Sequence, residues 1–175
     1  MGDSLGSVLY NYHSTRSVTL EMMIRHSKSV RLGIKKSLMV VDMPFNTYRN
    51  NKEALQNAKK IISKTKSDAV KLEGGKKIIN IIKFLTKNKI PVMGHLGLLP
   101  QTAKNFKFKG KKIAERKKIL DDAKLLQEAG VFSIVLECVE SSLAKLITKT
   151  LTIPTIGIGA SANCDGQVLL SLIHI

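Results

Sequence analysis

Five short apolar segments alternate with longer helix-like segments along this chain, and this alternation constrains the fold more than any other feature. The apolar segments are continuous hydrophobic runs, without the polar residue at every second position that a half-exposed strand shows. We predict them as strands over 37–41, 69–72, 90–93, 132–136 and 155–158. Such strands are buried on both faces, so the pattern predicts a parallel α/β fold, either a doubly wound sheet or a barrel.

Helical periodicity accompanies these strands. The predicted helices cover 20–32, 52–63, 76–88, 114–129 and 141–149. Gly33 and Gly130 follow two of them at the position where a left-handed glycine commonly ends a helix. Neither GxGxxG nor GxxxxGK[ST] follows a strand, so the fingerprints of nucleotide-binding folds are missing from the sequence.

Length and composition are those of a globular protein. A chain of 175 residues fits one domain, and 43% hydrophobic residues argue against disorder. No apolar run reaches the ~18 residues of a membrane span, and the first residues do not resemble a signal peptide. Cys138 and Cys164 form no CxxC pair, so they indicate neither zinc nor a disulfide framework. We therefore expect a cytoplasmic protein without a membrane partner, or a mitochondrial one if the organism is eukaryotic.

The formal net charge of +16 allows two interpretations. The first is a lysine-rich composition on solvated helix faces, and the second is a nucleic-acid-binding module that uses the basic stretch from Lys104 to Lys118. Aromatic residues make up only 5% and tryptophan is absent, so platforms for stacking bases are scarce. We favour the first interpretation; the second predicts steeply salt-dependent binding to RNA or DNA.

Charged and polar residues follow four successive strands at the same end. Asp42, Glu73, His95 and Glu137 occupy these positions, and Lys71 lies inside its strand. The carboxyl ends of parallel strands meet at one rim, where barrel enzymes place their active sites. Lys71 and Glu73 are two residues apart, so both side chains point the same way. The sequence predicts a site on this rim that combines a cation with carboxylates suited to a hard metal ion.

The motifs around these strand ends resemble the ketopantoate hydroxymethyltransferase family from Gly2 to about Leu170. In chain order they are Gly2-Asp3-Ser4-Leu5-Gly6, Asp42-Met43-Pro44-Phe45, Lys71-Leu72-Glu73-Gly74-Gly75, Gly94-His95-Leu96-Gly97-Leu98 with Pro100-Gln101, Leu136-Glu137-Cys138-Val139, and Ile156-Gly157-Ile158-Gly159-Ala160 with Asp165-Gly166-Gln167. The resemblance implies a (β/α)8 TIM barrel of the phosphoenolpyruvate-mutase type. It also implies transfer of a hydroxymethyl group from 5,10-methylenetetrahydrofolate to 3-methyl-2-oxobutanoate, which gives 2-dehydropantoate for pantothenate and coenzyme A synthesis.

The resemblance implies a Mg²⁺ site and a metal-bound enolate. Asp3 and Asp42 are the expected ligands and also contact the substrate, and Glu73 is a further carboxylate of the metal site. Mg²⁺ prefers oxygen ligands and keeps positions open for substrate oxygens. Bound to an α-keto acid, it would act as a Lewis acid that makes the C3 proton removable.

The resemblance also implies roles for the remaining candidates. Ser4 would bind the substrate carboxylate, Lys71 would support the substrate electrostatically, and Glu137 would be the general base that takes the C3 proton. For His95, a substrate contact and a hydrogen-bonded core histidine remain equal alternatives. Cys138 directly follows Glu137, so we expect it to face the other side of the strand and pack there.

The chain departs from the family pattern in three respects. We expect one partial barrel domain over 1–175 that lacks the first, second and eighth strands, with exposed sheet edges and uncertain activity on its own. The residues 171–175 do not resemble the family's continuation. The basic stretch from Lys104 to Lys118 replaces a glycine-rich loop, and we hypothesise that this stretch steers the polyglutamate tail of folate.

The resemblance further implies a homo-oligomer such as a decamer. A related Mg²⁺-dependent lyase or mutase acting on another α-keto acid remains the alternative function.

Overall fold

In a computed structural model, six parallel strands form one sheet in which every strand lies beside its neighbour in sequence. The structure describes residues 1–103 and 107–168. The strands are β1 Val40–Asp42, β2 Ala69–Glu73, β3 Val92–Gly97, β4 Ser133–Glu137, β5 Thr155–Ile158 and β6 Gly166–Gln167. Because the strand order never reverses, right-handed connections place the helices on one face and the sheet curls into an arc of a barrel. This order excludes the doubly wound alternative.

The helices alternate with these strands. They are α1 Leu5–Tyr10, α2 Leu20–Gly33, α3 Asn51–Thr65, α4 Ile79–Lys87, α5 Ile113–Glu128 and α6 Ser141–Thr150, with 3₁₀ turns at Thr15–Ser17 and Lys76–Ile78. Side chains just before two helices satisfy free backbone N–H groups: Thr19 accepts from the Met22 amide, and Asn50 accepts from the Glu53 amide.

The five predicted strands and five predicted helices are confirmed, with ends that shift by up to four residues. The sequence predicted neither α1 nor β6, because both are too short for a clear periodic pattern. Gly130 has the predicted left-handed conformation, with φ of 85°. The prediction for Gly33 is wrong: this residue is still helical, and Ile34 continues with an extended backbone instead of a left-handed turn.

The strands divide their side chains between two environments because successive residues point to opposite faces. One face packs under the helices with fully buried apolar residues, including Val41, Val70, Leu72, Ile134 and Leu136. The other face lines a cavity on the concave side of the sheet. The apolar face therefore holds the arc together, and the concave face remains open to a ligand.

The N-terminal segment runs along the free side of β1. The Met1 nitrogen donates to the Val40 carbonyl over 2.7 Å, and the Asp42 amide donates to the Met1 carbonyl over 3.1 Å. This pairing carries Asp3 to the carboxyl end of the sheet.

Among the residues that the structure describes, no helix is long and apolar enough to cross a membrane. That the first, second and eighth strands of a barrel are lacking stays a prediction.

Candidate active site

A cavity of about 560 Å³ opens at the carboxyl ends of the strands. Alternate residues of β1 to β5 form its floor, and the segment before α1 forms part of its wall. The cavity brings together every site residue predicted from the sequence, namely Asp3, Ser4, Asp42, Lys71, Glu73, His95 and Glu137. Lys71 and Glu73 point into it together, as their two-residue spacing predicts.

Lys71 is the positive centre of the cavity. Its Nζ lies 3.1 Å from Asp42 Oδ1 and 3.2 Å from His95 Nδ1, and its side chain is only 13% exposed. Burial by itself lowers the pKa of Lys71, but the charges of Asp42, Glu73 and Asp3 outweigh burial and raise the pKa above its ordinary value. Lys71 is therefore a charged ammonium among carboxylates, available to a further anion.

Asp3 and Glu73, two acids beside Lys71, resist ionisation. Burial raises the pKa of Asp3 to about 6, with a further increase from the charge of Asp42, and burial raises the pKa of Glu73 to about 8. The Asp3 amide also donates to Asp42 Oδ2 over 3.2 Å, which brings the two aspartates side by side. Because burial disfavours the ionised form of Asp3 and Glu73, a further positive charge in the cavity would favour their ionisation.

The acids fit a hard cation that brings some of its own ligands. A Cβ on Gly2 would lie 3.2 Å from Ser4 Oγ and 3.5 Å from Asp42 Oδ2, so this glycine keeps open space beside Asp42. Within residues 1–103 and 107–168, no three His, Cys, Asp or Glu side chains are grouped closely enough to hold a metal by themselves. Mg²⁺ commonly needs only one or two carboxylates, with water and substrate supplying the rest. Asp3 and Asp42 lie side by side and are the best candidates for direct Mg²⁺ ligands. Glu73 lines the same cavity and is the second choice.

Gln101 ties these acids together, and the sequence analysis assigned it no role. Its Nε2 donates to Asp3 Oδ2 over 2.8 Å and to the Met43 carbonyl over 2.9 Å, while its backbone amide donates to Glu73 Oε2 over 3.0 Å. The Tyr48 hydroxyl donates to Gln101 Oε1 over 2.5 Å. Its place in the motif after β3 was visible in the sequence, but these contacts depend on the loop conformation.

Glu137, the predicted base, lies at the end of β4 with its side chain 12% exposed. Burial raises its pKa to about 7, although the charge of Lys71 acts in the opposite direction. A carboxyl group with this pKa is ionised in a useful fraction near neutral pH and is still a strong enough base to accept a proton. Gly97 allows the close approach of β3 here, because a Cβ on Gly97 would lie 2.2 Å from the Glu137 carbonyl oxygen.

His95 lies between Lys71 and Glu137. Burial first, and then the charge of Lys71, lower the pKa of His95 well below its ordinary value, so the imidazole is neutral. The Lys71 ammonium can only donate to Nδ1, which places the imidazole proton on Nε2. Nε2 lies 3.2 Å from Glu137 Oε2 without the alignment of a hydrogen bond, so it has no hydrogen-bond partner in the described part of the chain. A ligand atom would satisfy this buried donor.

The prediction that Cys138 packs behind the strand is wrong. The strand ends at Glu137, and Cys138 has a left-handed backbone with φ of 50°, which breaks the alternation of faces. Its side chain is half-buried, and its thiol is free. The carbonyl of Cys138 accepts from the Lys109 amide over 2.8 Å, so the described part of the basic stretch begins beside the site. Lys104 and Phe106 lie outside the described residues.

Comparison with known proteins places the chain in a family. The sequence profile described as ketopantoate hydroxymethyltransferase matches residues 1–172. A 3-methyl-2-oxobutanoate hydroxymethyltransferase of Pelagibacter ubique (strain HTCC1062) is 79% identical over 171 residues, which are 98% of this chain and 66% of the relative. The enzyme of the same name from Clostridium botulinum (strain Alaska E43 / Type E3) is 49% identical, over 97% of this chain and 63% of the relative. The chain thus spans no more than two thirds of the length of these relatives.

Solved structures agree on the fold. A 2,3-dimethylmalate lyase, described as a PEP mutase/isocitrate lyase superfamily member, has a TM-score of 0.67 at 11% identity, over 90% of this chain and 56% of that chain. A phosphonopyruvate hydrolase has a TM-score of 0.65 at 10% identity, over 89% and 57%. At such low identity these likenesses establish the fold alone, an incomplete TIM-type α/β barrel. The profile and the relatives together show that this chain belongs to the ketopantoate hydroxymethyltransferase family.

Proposed function

We propose that the protein containing this chain transfers a hydroxymethyl group from 5,10-methylenetetrahydrofolate to 3-methyl-2-oxobutanoate, giving 2-dehydropantoate for pantothenate synthesis. The observation that carries the proposal is Glu137, a partly buried carboxyl group with its pKa raised to about 7, in the same cavity as a charged lysine and a group of acids suited to a cation. This combination suits removal of a proton beside a carbonyl group.

The first half of the reaction is an enolisation. Glu137 takes the proton from C3 of the keto acid, and the electron pair of that C–H bond moves toward the keto group. Mg²⁺ held by Asp3 and Asp42, with Glu73 nearby, would supply Lewis acidity to the keto acid oxygens. Lys71 stabilises the negative charge that develops on the substrate, because its ammonium is buried and already oriented by Asp42.

The substrate is held by the remaining residues of the cavity. Ser4 lines the wall beside Asp42 and would donate its hydroxyl to the substrate carboxylate. The His95 Nε2 proton has no hydrogen-bond partner among residues 1–103 and 107–168 and faces the space next to Glu137, which favours the substrate-contact interpretation over a purely structural histidine. Because the imidazole is neutral, it donates a hydrogen bond without competing with Lys71 for an anion.

In the second half, one water cleaves both C–N bonds of the folate methylene group, so that tetrahydrofolate leaves with the two water protons on its nitrogens and the carbon is released as formaldehyde. C3 of the enolate then bonds to this carbon, and the proton held by Glu137 passes to its oxygen to give the hydroxymethyl group. The donor is a polyanion when it carries a polyglutamate tail. Lys109 of the basic stretch lies next to the Glu137 end of the cavity, because its amide donates to the Cys138 carbonyl. This placement supports the hypothesis that the basic stretch attracts the tail. A cytoplasmic location and a homo-oligomer remain expectations from the family.

The test is exchange of the C3 proton of 3-methyl-2-oxobutanoate for deuterium, followed by NMR in D₂O without folate. It compares this chain with an extended chain, in which the unmatched segments of the Pelagibacter ubique relative are added to the 175 residues. We expect Mg²⁺-dependent exchange in the extended chain and a loss of roughly 10²–10⁴-fold in Glu137→Gln. Glu128→Gln, an exposed substitution in α5, is the matched control and leaves the rate unchanged.

Absence of exchange from a folded extended chain would overturn the proposal. Exchange without product when 5,10-methylenetetrahydrofolate is added would favour the alternative, a related lyase or mutase. Screening other α-keto acids in the same exchange assay then identifies the preferred substrate. Retention of the full rate in Glu137→Gln would remove Glu137 from the role of base.

A further inference from the structure

Gln101 connects parts of the chain that are far apart in sequence and that all serve the acid group of the cavity. It is 1% exposed, and its side chain reaches Asp3, which lies 98 residues earlier. Through the Met43 carbonyl it also holds the residue next to Asp42, and through its backbone amide it holds Glu73. Gln101 therefore hydrogen-bonds directly to Asp3 and Glu73, and it reaches the third candidate metal carboxylate, Asp42, through the neighbouring residue Met43.

The orientation of the Gln101 amide is determined by its partners. The Met43 carbonyl can only accept, so the group that faces it must be the NH₂ of the amide. The same NH₂ donates its other proton to Asp3, and the carbonyl oxygen on the opposite side accepts from Tyr48. Every hydrogen-bonding atom of the amide is occupied, which leaves it one stable orientation.

We propose that Gln101, oriented by Tyr48, is a positioning residue that sets the spacing of Asp3 relative to Asp42 and Glu73 and thereby the affinity and size selectivity of the cation site. This inference rests on the proposed function. Residues that hydrogen-bond to metal ligands fix the ligand geometry, and their loss typically weakens metal binding by roughly 10–100-fold. A fixed spacing favours small Mg²⁺, because Ca²⁺ tolerates longer and more irregular coordination.

The experiment measures Mg²⁺ and Ca²⁺ binding by calorimetry in the extended chain without substrate, together with the melting temperature of the metal-free protein. In Gln101→Met, which has a similar length but no hydrogen bonds, we expect the Mg²⁺ dissociation constant to rise roughly 10–100-fold. We expect Ca²⁺ binding to weaken less, so that selectivity falls. In Tyr48→Phe, which frees only the amide carbonyl, we expect a rise of roughly 2–5-fold.

Gln127→Met is the matched control. The side-chain oxygen Oε1 of Gln127 accepts from the Thr152 amide over 2.7 Å at the amino end of β5, away from the cavity. Loss of this hydrogen bond should lower the melting temperature without changing cation affinity. An unchanged Mg²⁺ dissociation constant and selectivity in folded Gln101→Met would overturn the inference alone. If Gln101→Met does not fold, an unchanged dissociation constant in Tyr48→Phe overturns it. Absence of Mg²⁺ binding by the unsubstituted protein would overturn both this inference and the metal part of the proposed function.

Discussion

The two faces of the same strands have opposite physical characters. In β2, Leu72 is fully buried under the helices, while its neighbours Lys71 and Glu73 point into the cavity on the other side. The helix face consists of apolar side chains whose burial stabilises the fold. The cavity face consists of charged groups whose burial is unfavourable and is offset only partly by Lys71 and Gln101.

This difference shows how one strand can serve stability and chemistry together. Burial shifts the pKa of Asp3, Glu73 and Glu137 upward because the same sheet that packs against helices also excludes water from its concave side. The cavity therefore carries the properties that a base and a cation site need. We expect substitutions on the two faces to have separable effects.

The largest expected effect on stability comes from the helix face. Leu72→Ala removes a fully buried side chain and leaves a cavity, so we expect the free energy of unfolding to fall by about 2–5 kcal/mol in a urea titration. Leu72→Met, which roughly conserves volume, is the control and costs less than about 1.5 kcal/mol. Mg²⁺ affinity of the folded fraction stays unchanged. Equal losses in the two variants would show that Leu72 is not tightly packed.

A smaller effect on stability is expected on the cavity face, and this effect depends on pH. The pKa of Glu73 is raised from the model-peptide value of 4.5 to about 8, so the folded state holds its proton more tightly than the unfolded state. The contribution of protonated Glu73 to the free energy of unfolding is fully present below pH 4.5 and is lost as the pH rises through 8. Metal-free protein should therefore be less stable at pH 9 than at pH 6.

Glu73→Gln should reduce this pH dependence by about 1 kcal/mol or more, because each pKa unit corresponds to ~1.4 kcal/mol. Asp3 and Glu137 have raised pKa values as well, so some dependence remains. Urea titrations at the two pH values measure the change, and exposed Glu128→Gln is the control. A slope that Glu73→Gln leaves intact would contradict the assignment of this carboxyl group as a buried, protonated acid.

The smallest effect is expected from lysines of the basic stretch, of which Lys107, Lys111 and Lys112 are exposed and Lys109 is half-buried. Lys107, Lys109, Lys111 and Lys112 lie in the described part of the basic stretch, and their replacement by glutamine should weaken binding of polyglutamylated folate by roughly 2–5-fold at low salt. Binding of the monoglutamate stays unchanged, and the difference disappears at high salt because exposed charges are screened. Fluorescence titration with each of the two folates measures the difference in their dissociation constants.

The same number of exposed lysines on α3 and α4 provides the control, namely Lys59, Lys64, Lys83 and Lys87. Their replacement should affect neither folate. If both sets weaken the polyglutamate equally, the attraction is a property of the net charge of +16 and not of the stretch beside Glu137. If neither set changes it, the steering hypothesis fails.

Much of the fold was predictable because strands and helices leave periodic patterns in the sequence. Continuous apolar runs predicted five of the six strands, and the charged residues after them predicted the contents of the cavity. The two-residue β6 and the six-residue α1 were missed because they are shorter than any pattern that can be counted. Cys138 was misplaced because a left-handed residue ended the alternation one position early.

By itself the sequence determined the strand–helix alternation, the group of acids with one lysine at the strand ends, and the motifs of the family. It did so because hydrophobic periodicity is a local property of the chain. Only the tertiary structure decided that the sheet curls instead of winding both ways, that His95 keeps a buried Nε2 proton, and that Gln101 joins Asp3 to Glu73. These features depend on contacts between residues distant in sequence, and on how far burial shifts each pKa, which spacing along the chain does not encode.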